Sequence, residues 1–416
     1  MVTTPIRPER SVGRPSAMSG DELRKWAAEI HRRWPAVGLA VGVVRHGGIG
    51  LFHGRGVADL ASGAPITEDT VFRIGSITKT VTAIAVMQLW ERGLVDLDAP
   101  ANDYLRPYKL IPAETGWRPA TLRHLLAHTA GIPDVLYLGD LLHPSWGPFD
   151  GRPPLHSVEV GQPSPSLAEY YRSGIRLVAE PGSAFAYSNH GFATLGQIVE
   201  DVSGEPLDRY FRRHIFQPLE MTATDLLRSE QVAAHLAKGY ALGRAGAEEL
   251  TDREWIGQAG GGVYSSGRDL GRYVAALLGG GCNEHGSVLR PSTLATMFEP
   301  HYRPNPGVPG MGLGLFRHDA GGHRVVGHEG ILPGFNSGIL VAPDDGVGVF
   351  ALTNGSRRAM VWLPTELAGL LCRLLVVPTG GAGGRAPSGH GEPWDLLCGR
   401  YRLPPVGDLR GRVMMG

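Results

Sequence analysis

Phe72-Arg73-Ile74-Gly75-Ser76-Ile77-Thr78-Lys79-Thr80-Val81-Thr82-Ala83 is the stretch on which the reading of this chain turns. Ser76 and Lys79 stand three residues apart, so on a helix they share one face. From Ile77 to Trp90 the residues are nearly all apolar or small. A helix apolar on all sides is a buried one. The pattern therefore predicts a buried helix beginning at Ser76 and stopped by Gly93. A lysine in the first turn of such a helix is either paired with a charge or kept for chemistry. An ammonium pressed against a hydroxyl in a dry site loses its proton more easily than in water. Lys79 is thus a candidate base for activating Ser76. The free N–H groups at a helix start suit a developing oxyanion. Alone, Ser-x-x-Lys is weak, because chance supplies about one in a chain of this size. The plain alternative is an N-cap serine followed by a solvated lysine.

Composition narrows the field. The chain has 416 residues, too many for one simple core, and two lobes are expected. Lys+Arg and Asp+Glu are both 40, so nothing favours nucleic acid or an anionic membrane surface. With 60 glycines and 32 prolines, turns and long loops abound, while 42% apolar content argues against disorder. Cys282, Cys372 and Cys398 form neither a metal spacing nor a disulfide framework, which suits a reduced compartment. Residues 1–20 are polar, carry Arg7, Arg10 and Arg14, and lack an apolar signal core. They read as a disordered lead-in, and the chain as cytoplasmic. No run approaches the ~18 apolar residues of a membrane span. His124 and His128, at i and i+4, could put two metal ligands on one helix face, but no third ligand accompanies them. No metal and no cofactor are expected. No serine has glycines two residues before and after it, so the nucleophile elbow of α/β-hydrolases is missing.

Periodicity supplies the architecture. Asp21–Trp34 reads as an amphipathic helix, Val37–Val44 as a buried strand, and Ile49–Val57 as its hairpin return. Helices are predicted over Glu169–Ile175, Gly191–Ser203, Pro206–Phe216 and Ser266–Leu278. Strands return at His323–His328, Gly338–Ala342 and Gly346–Thr353, before a helix over Val361–Leu375. Strand-rich ends bracket a helical middle. This is an α+β chain: one antiparallel sheet assembled from both ends and flanked by helices, with a mostly helical lobe inserted. The sheet lobe takes residues 21–95 and 300–378, the helical lobe 96–299. A flexible linker at 379–392 follows, then a short tail at 393–416. The long loop Ile132–Ser166, with Tyr137, Trp146 and Phe149, reads as an aromatic wall over the cleft between lobes.

Two further motifs change the weight of Ser76-x-x-Lys79. They are Tyr187-Ser188-Asn189 and His328-Glu329-Gly330. In this order, the three motifs resemble those of the serine β-lactamase and penicillin-binding-protein superfamily. The resemblance is strongest to the class C β-lactamase-like branch, with its family VIII carboxylesterases and D-aminopeptidases. Leu125-Leu126-Ala127-His128-Thr129-Ala130-Gly131-Ile132-Pro133 and Gly260-Gly261-Gly262-Val263-Tyr264-Ser265-Ser266-Gly267-Arg268-Asp269-Leu270 are similar to further stretches of that branch. The likeness covers roughly residues 20–378. It implies the β-lactamase/transpeptidase fold, with Ser76 as acylated nucleophile and Lys79 and Tyr187 as proton carriers. Asn189 is implied to hold Lys79 and the substrate's acyl side. The N–H groups of Ser76 and Ile331, beside Gly330, are implied as the oxyanion hole. One departure stands out. True class C β-lactamases carry Lys-Thr-Gly as third motif, and the lysine binds a substrate carboxylate. His328 offers no permanent cation at pH 7.

The resemblance therefore implies a serine hydrolase, first a carboxylesterase on short to medium acyl esters. A D-aminopeptidase or D-amino acid amidase, a class C-like β-lactamase, and a non-catalytic penicillin-binding homologue are the alternatives. The partner is a small-molecule ester or amide; oligomeric state is left open. Trp394–Arg402 resembles the opening strand of the lipocalin-like domain some relatives carry. The tail is either a truncated vestige of such a domain or a product of where the gene ends.

Overall fold

The computed structural model describes residues 18–45, 47–133, 157–243 and 246–375. Residues 1–17 of the expected lead-in 1–20, the aromatic wall of Tyr137, Trp146 and Phe149, the linker 379–392 and the tail 393–416 lie outside the described residues; Ser19 and Gly20, at the end of that lead-in, instead cap and open the first helix.

The first helix, α1 (Gly20–Arg33), starts where its sequence says it should. Ser19 and Glu22 form a reciprocal capping box, with Glu22 N–H donating to Ser19 Oγ at 3.2 Å and Ser19 N–H to Glu22 Oε2 at 2.7 Å. Its apolar stripe, Leu23, Trp26, Ala27 and Ile30, is buried. The hairpin β1 (Gly38–Arg45) and β2 (Gly48–Asp59) follows, with the short β3 (Ala64–Pro65). The late strands are β4 (Phe316–Ala320), β5 (His323–Leu332), β6 (Phe335–Ala342) and β7 (Val347–Thr353). Together they form a seven-stranded antiparallel sheet in the order β4-β5-β6-β7-β1-β2-β3. The seam that joins the two ends of the chain is β1 on β7, from Leu39 opposite Thr353 to Arg45 opposite Val347.

Both faces of the sheet are covered, which is why β1 is a continuous apolar run rather than an alternating one. Leu39, Val41 and Val43 pack outward with α1 and the C-terminal helix Ala359–Leu374, around Trp26, Leu363, Leu367 and Leu370. Ala40 and Val44 face the larger inner cluster. Each fully buried side chain of this size contributes roughly 1.5–3 kcal/mol. Gly42 has its own reason: a Cβ there would meet the Phe350 ring at 2.1 Å.

The buried helix α2 (Thr78–Glu91) runs through the inner cluster with every residue from Thr78 to Leu89 buried. Ser76 itself lies just before it, in the 3-10 turn Gly75–Ile77, rather than at a helix cap. The helix Gly267–Leu278, which the reading by periodicity counts with the inserted lobe, packs on the inner face of the sheet. A Cβ on its Gly271 would meet Ile49 Cγ1 at 2.2 Å, and one on Gly348 would meet its Val274 at 2.5 Å.

Several elements differ from the sequence reading, β4 (Phe316–Ala320), absent from it, being one. The helix expected over Glu169–Ile175 is only Leu167–Tyr170; Gly174, at φ 76°, turns the chain, and Ile175–Arg176 instead pairs with Leu110–Ile111. The strand expected to end at His328 continues to Leu332, because Glu329, Gly330 and Ile331 pair with Gly338, Ser337 and Asn336 of β6. Its glycine-rich end resembles a turn, and the partner strand decides otherwise. Among the described residues no helix is long and apolar enough to cross a membrane.

Candidate active site

Ser76 is half-buried in an otherwise buried turn. Gly75 before it sits at φ 52°, in the left-handed region. A Cβ on Gly75 would lie 2.8 Å from Ile331 N and 3.1 Å from Gly330 Cα. A Cβ on Gly330 would lie 2.0 Å from the Ile74 carbonyl oxygen and 2.2 Å from Ser337 Oγ. Two glycines thus let the β5 backbone run against the Ser76 turn. Ser337 Oγ fastens the contact by donating to Ile74 O at 2.7 Å. β4 pairs with β5 only as far as Gly327, so His328–Leu332 present their outer edge to this turn rather than to a strand.

Lys79 follows one helical step beneath Ser76 and is fully buried. Its Nζ donates to Ser76 Oγ at 3.0 Å, Asn189 Oδ1 at 2.6 Å and Gly260 O at 2.6 Å. An ammonium has only N–H donors, and these acceptors suit it. The ammonium also lies 4.8 Å from the centre of the Tyr187 ring, within cation–π range. Asn189 is the first residue of the helix Asn189–Ser203, whose N-cap Ser188 accepts from Gly191 N–H at 3.1 Å. The cap fixes Tyr187 and Asn189 on either side of Ser188 as the chain enters the helix.

His328 is buried, and its ring centre lies 6.2 Å from that of Tyr187 and 5.1 Å from Phe316. Its Nδ1 lies 2.6 Å from the Glu329 carbonyl, so Nδ1–H donates and Nε2 is left bare. Nε2 has no hydrogen-bond partner among the described residues. Burial, followed by the Lys79 ammonium, pushes its pKa down to about 3. The imidazole is neutral at pH 7.

The structure therefore brings together Ser76, Lys79, Tyr187, Asn189, His328, Gly330 and Ile331. Two participants have no role in the motif reading. Gly260 contributes a backbone carbonyl, which no residue type announces. His128, weighed above only as a metal ligand beside His124 and quoted in a similar stretch, lies against Tyr187. His124 and His128 do not share a helix turn, since the helix Leu122–Leu126 ends between them and His128 sits at φ 57°. No group of three or more His, Cys, Asp or Glu able to hold a metal occurs among the described residues.

The beta-lactamase family model matches residues 25–366. The chain belongs to the beta-lactamase family. Among its relatives, the esterase EstB of Burkholderia gladioli is 33% identical over 195 residues, 47% of this chain and 48% of that protein. The match thus spans about half the length of that esterase. Penicillin-binding protein 4 of Amycolatopsis lactamdurans is 28% identical over 72% of this chain and 76% of its own. The octameric penicillin-binding protein homologue from Pyrococcus abyssi superposes with a TM-score of 0.70 at 26% identity, covering 86% of this chain and 78% of that one. This beta-lactamase family chain carries the Ser76 turn against the β5 edge of its seven-stranded antiparallel sheet.

Proposed function

We propose that the chain is a serine hydrolase working through an acyl-enzyme on Ser76, and that uncharged carboxylic esters with short to medium acyl groups are its main substrates. The observation that carries this reading is Lys79, fully buried with Nζ 3.0 Å from Ser76 Oγ and held from two other sides. Ser76 Oγ attacks the ester carbonyl while its proton passes to Tyr187, whose phenolate form the adjacent Lys79 ammonium favours. The N–H groups of Ser76 and Ile331 receive the oxyanion. Collapse breaks the ester C–O bond, and the same proton leaves with the alcohol. Water then attacks the acyl carbon, loses its proton along the same route, and frees the acid and Ser76. Asn189 holds the lysine and the acyl side of the substrate.

The preference for uncharged esters rests on His328. The neutral His328, its Nδ1–H taken up by the Glu329 carbonyl, keeps only the bare Nε2 acceptor where a lysine would offer a fixed positive charge. A charge-assisted hydrogen bond to a carboxylate is worth roughly 1.5–3 kcal/mol, about ten- to a hundredfold or more in discrimination. The esterase activity named for the Burkholderia gladioli relative points the same way.

The test is a side-by-side profile on p-nitrophenyl acyl esters, D-alanyl amides and nitrocefin, with fluorophosphonate labelling. We expect label on Ser76, loss of ester hydrolysis in Ser76→Ala by several orders of magnitude, and esters ahead of nitrocefin in kcat/KM by at least about tenfold. Label on another serine overturns the mechanism. A lead for D-alanyl amides moves the same machinery to D-amino acid amide hydrolysis, and a lead for nitrocefin to β-lactam hydrolysis.

A further inference from the structure

Both peptide N–H groups that flank Tyr187 end on one residue. Ala186 N–H donates to the His128 carbonyl at 2.8 Å, and Ser188 N–H donates to His128 Nδ1 at 3.1 Å. The same imidazole lies over the Tyr187 ring, with centres 4.3 Å apart and planes 29° apart. Tyr187 is thus gripped before, behind and across its face by His128. We propose that His128 is the positioning residue of Tyr187, setting the phenol against Lys79 so that proton transfer through Tyr187 depends on an imidazole that touches no substrate. The proposal rests on the reading of Tyr187 as proton carrier given above.

Several features ask for histidine at this place. The backbone stands at φ 57°, which histidine and asparagine tolerate better than most residues. Such a conformation persists only where its surroundings hold it, and Thr129 N–H to His124 O at 2.8 Å and Gly182 N–H to Thr129 O at 2.7 Å do so here. The ring must be neutral, because Nδ1 accepts from Ser188 and has no room for a proton. Burial, then the nearby Lys79 ammonium and His328, hold its pKa well below the usual histidine range. Its Nε2–H has no hydrogen-bond partner among the described residues. An unpaired buried N–H is costly, and an aliphatic side chain would avoid that cost. What the aliphatic residue lacks is the acceptor and the flat face.

The test is a pair of double-mutant cycles read as kcat and KM on a p-nitrophenyl ester, with melting curves. His128→Leu removes acceptor and ring. His128→Asn puts Oδ1 where Nδ1 was, suits the backbone, and removes only the ring. We expect His128→Leu to lower kcat at least about tenfold with KM within about twofold, and His128→Asn to recover kcat to within about three- to fivefold of wild type. In a Tyr187→Phe background neither substitution should cost more than about twofold further. Wild-type kcat in His128→Leu overturns the proposal, as do equal factors in the two backgrounds for whichever variant folds. Tyr187→Phe is measured first: a wild-type rate there removes the tyrosine from the mechanism before His128 is touched.

Discussion

Lys79 shows how much one buried side chain is asked to do. Its acceptors suit an ammonium, while its contact with Ser76 Oγ suits a proton carrier. Lys79→Arg separates these roles, since guanidinium keeps the charge and stays protonated. If the charge alone matters, the arginine enzyme keeps much of its rate. We expect it nearly dead in kcat, and Tyr187→Phe lowered about a hundredfold or more, as for lost acid–base help. His328 makes a separate statement through pH. Its folded pKa of about 3 lies below the ordinary histidine value, so it is neutral when folded and charged when unfolded between those limits. The stability tied to its neutrality is fully present above about pH 6.5 and is lost as pH falls toward 3. The slope for one such group is about 1.4 kcal/mol per pH unit. Urea unfolding between pH 7.5 and 4.5 should therefore fall less steeply in His328→Gln than in wild type. Identical slopes would remove His328 as a source of acid sensitivity.

At the scale of elements, the site is a meeting of a 3-10 turn and a strand edge, and Gly75 is what lets them meet. Gly75→Ala meets two obstacles, φ 52° and the Ile331 N 2.8 Å from the new methyl. Strain of this kind costs about 1–3 kcal/mol. The relief, a retreat of β5, separates Ser76 from Ile331 N–H. We expect a modest loss in urea midpoint and a disproportionate loss in kcat, about a hundredfold or more, as for a lost oxyanion donor. Unchanged kcat in a destabilised variant would mean that Ile331 N–H takes no part. The same elements show what the sequence discloses. Ser76 and Lys79 are legible because helical spacing is local. The convergence of Tyr187, Asn189 and His328 on them is tertiary, and only the family resemblance reaches it. The full length of β5 is hidden because His328-Glu329-Gly330 carries no strand pattern of its own; its ladder partners Ser337 and Gly338 settle it. Gly260 is illegible in principle, since its contribution is a carbonyl every residue has. His128 is visible as a residue, but its backbone at φ 57° and its reach to Ser188 are not.

For the whole molecule, the decisive fact is that the central seam, β1 on β7, joins segments about 300 residues apart in a chain whose proposed nucleophile lies between them. The sheet cannot finish until both ends are present, and the Ile331 edge proposed for the oxyanion belongs to the late end while Ser76 belongs to the early one. A single side-chain bond, Ser337 Oγ to Ile74 O at 2.7 Å, crosses that divide directly at the site. Both residues are buried, so no water replaces the bond at little cost. Removing the hydroxyl costs about 1–3 kcal/mol where an acceptor is left poorly satisfied, and Ile74 O keeps only the weaker 3.3 Å bond from Ile77 N–H. Ser337→Ala should therefore leave a folded protein with a lower urea midpoint. Its kcat should fall by about tenfold or more, because β5 and the Ser76 turn lose their tie. Activity should also disappear at lower urea than the circular dichroism signal, with the gap wider than in wild type. Coincident loss of activity and fold in both proteins would mean that the seam alone, without Ser337, keeps the two halves of the site in register.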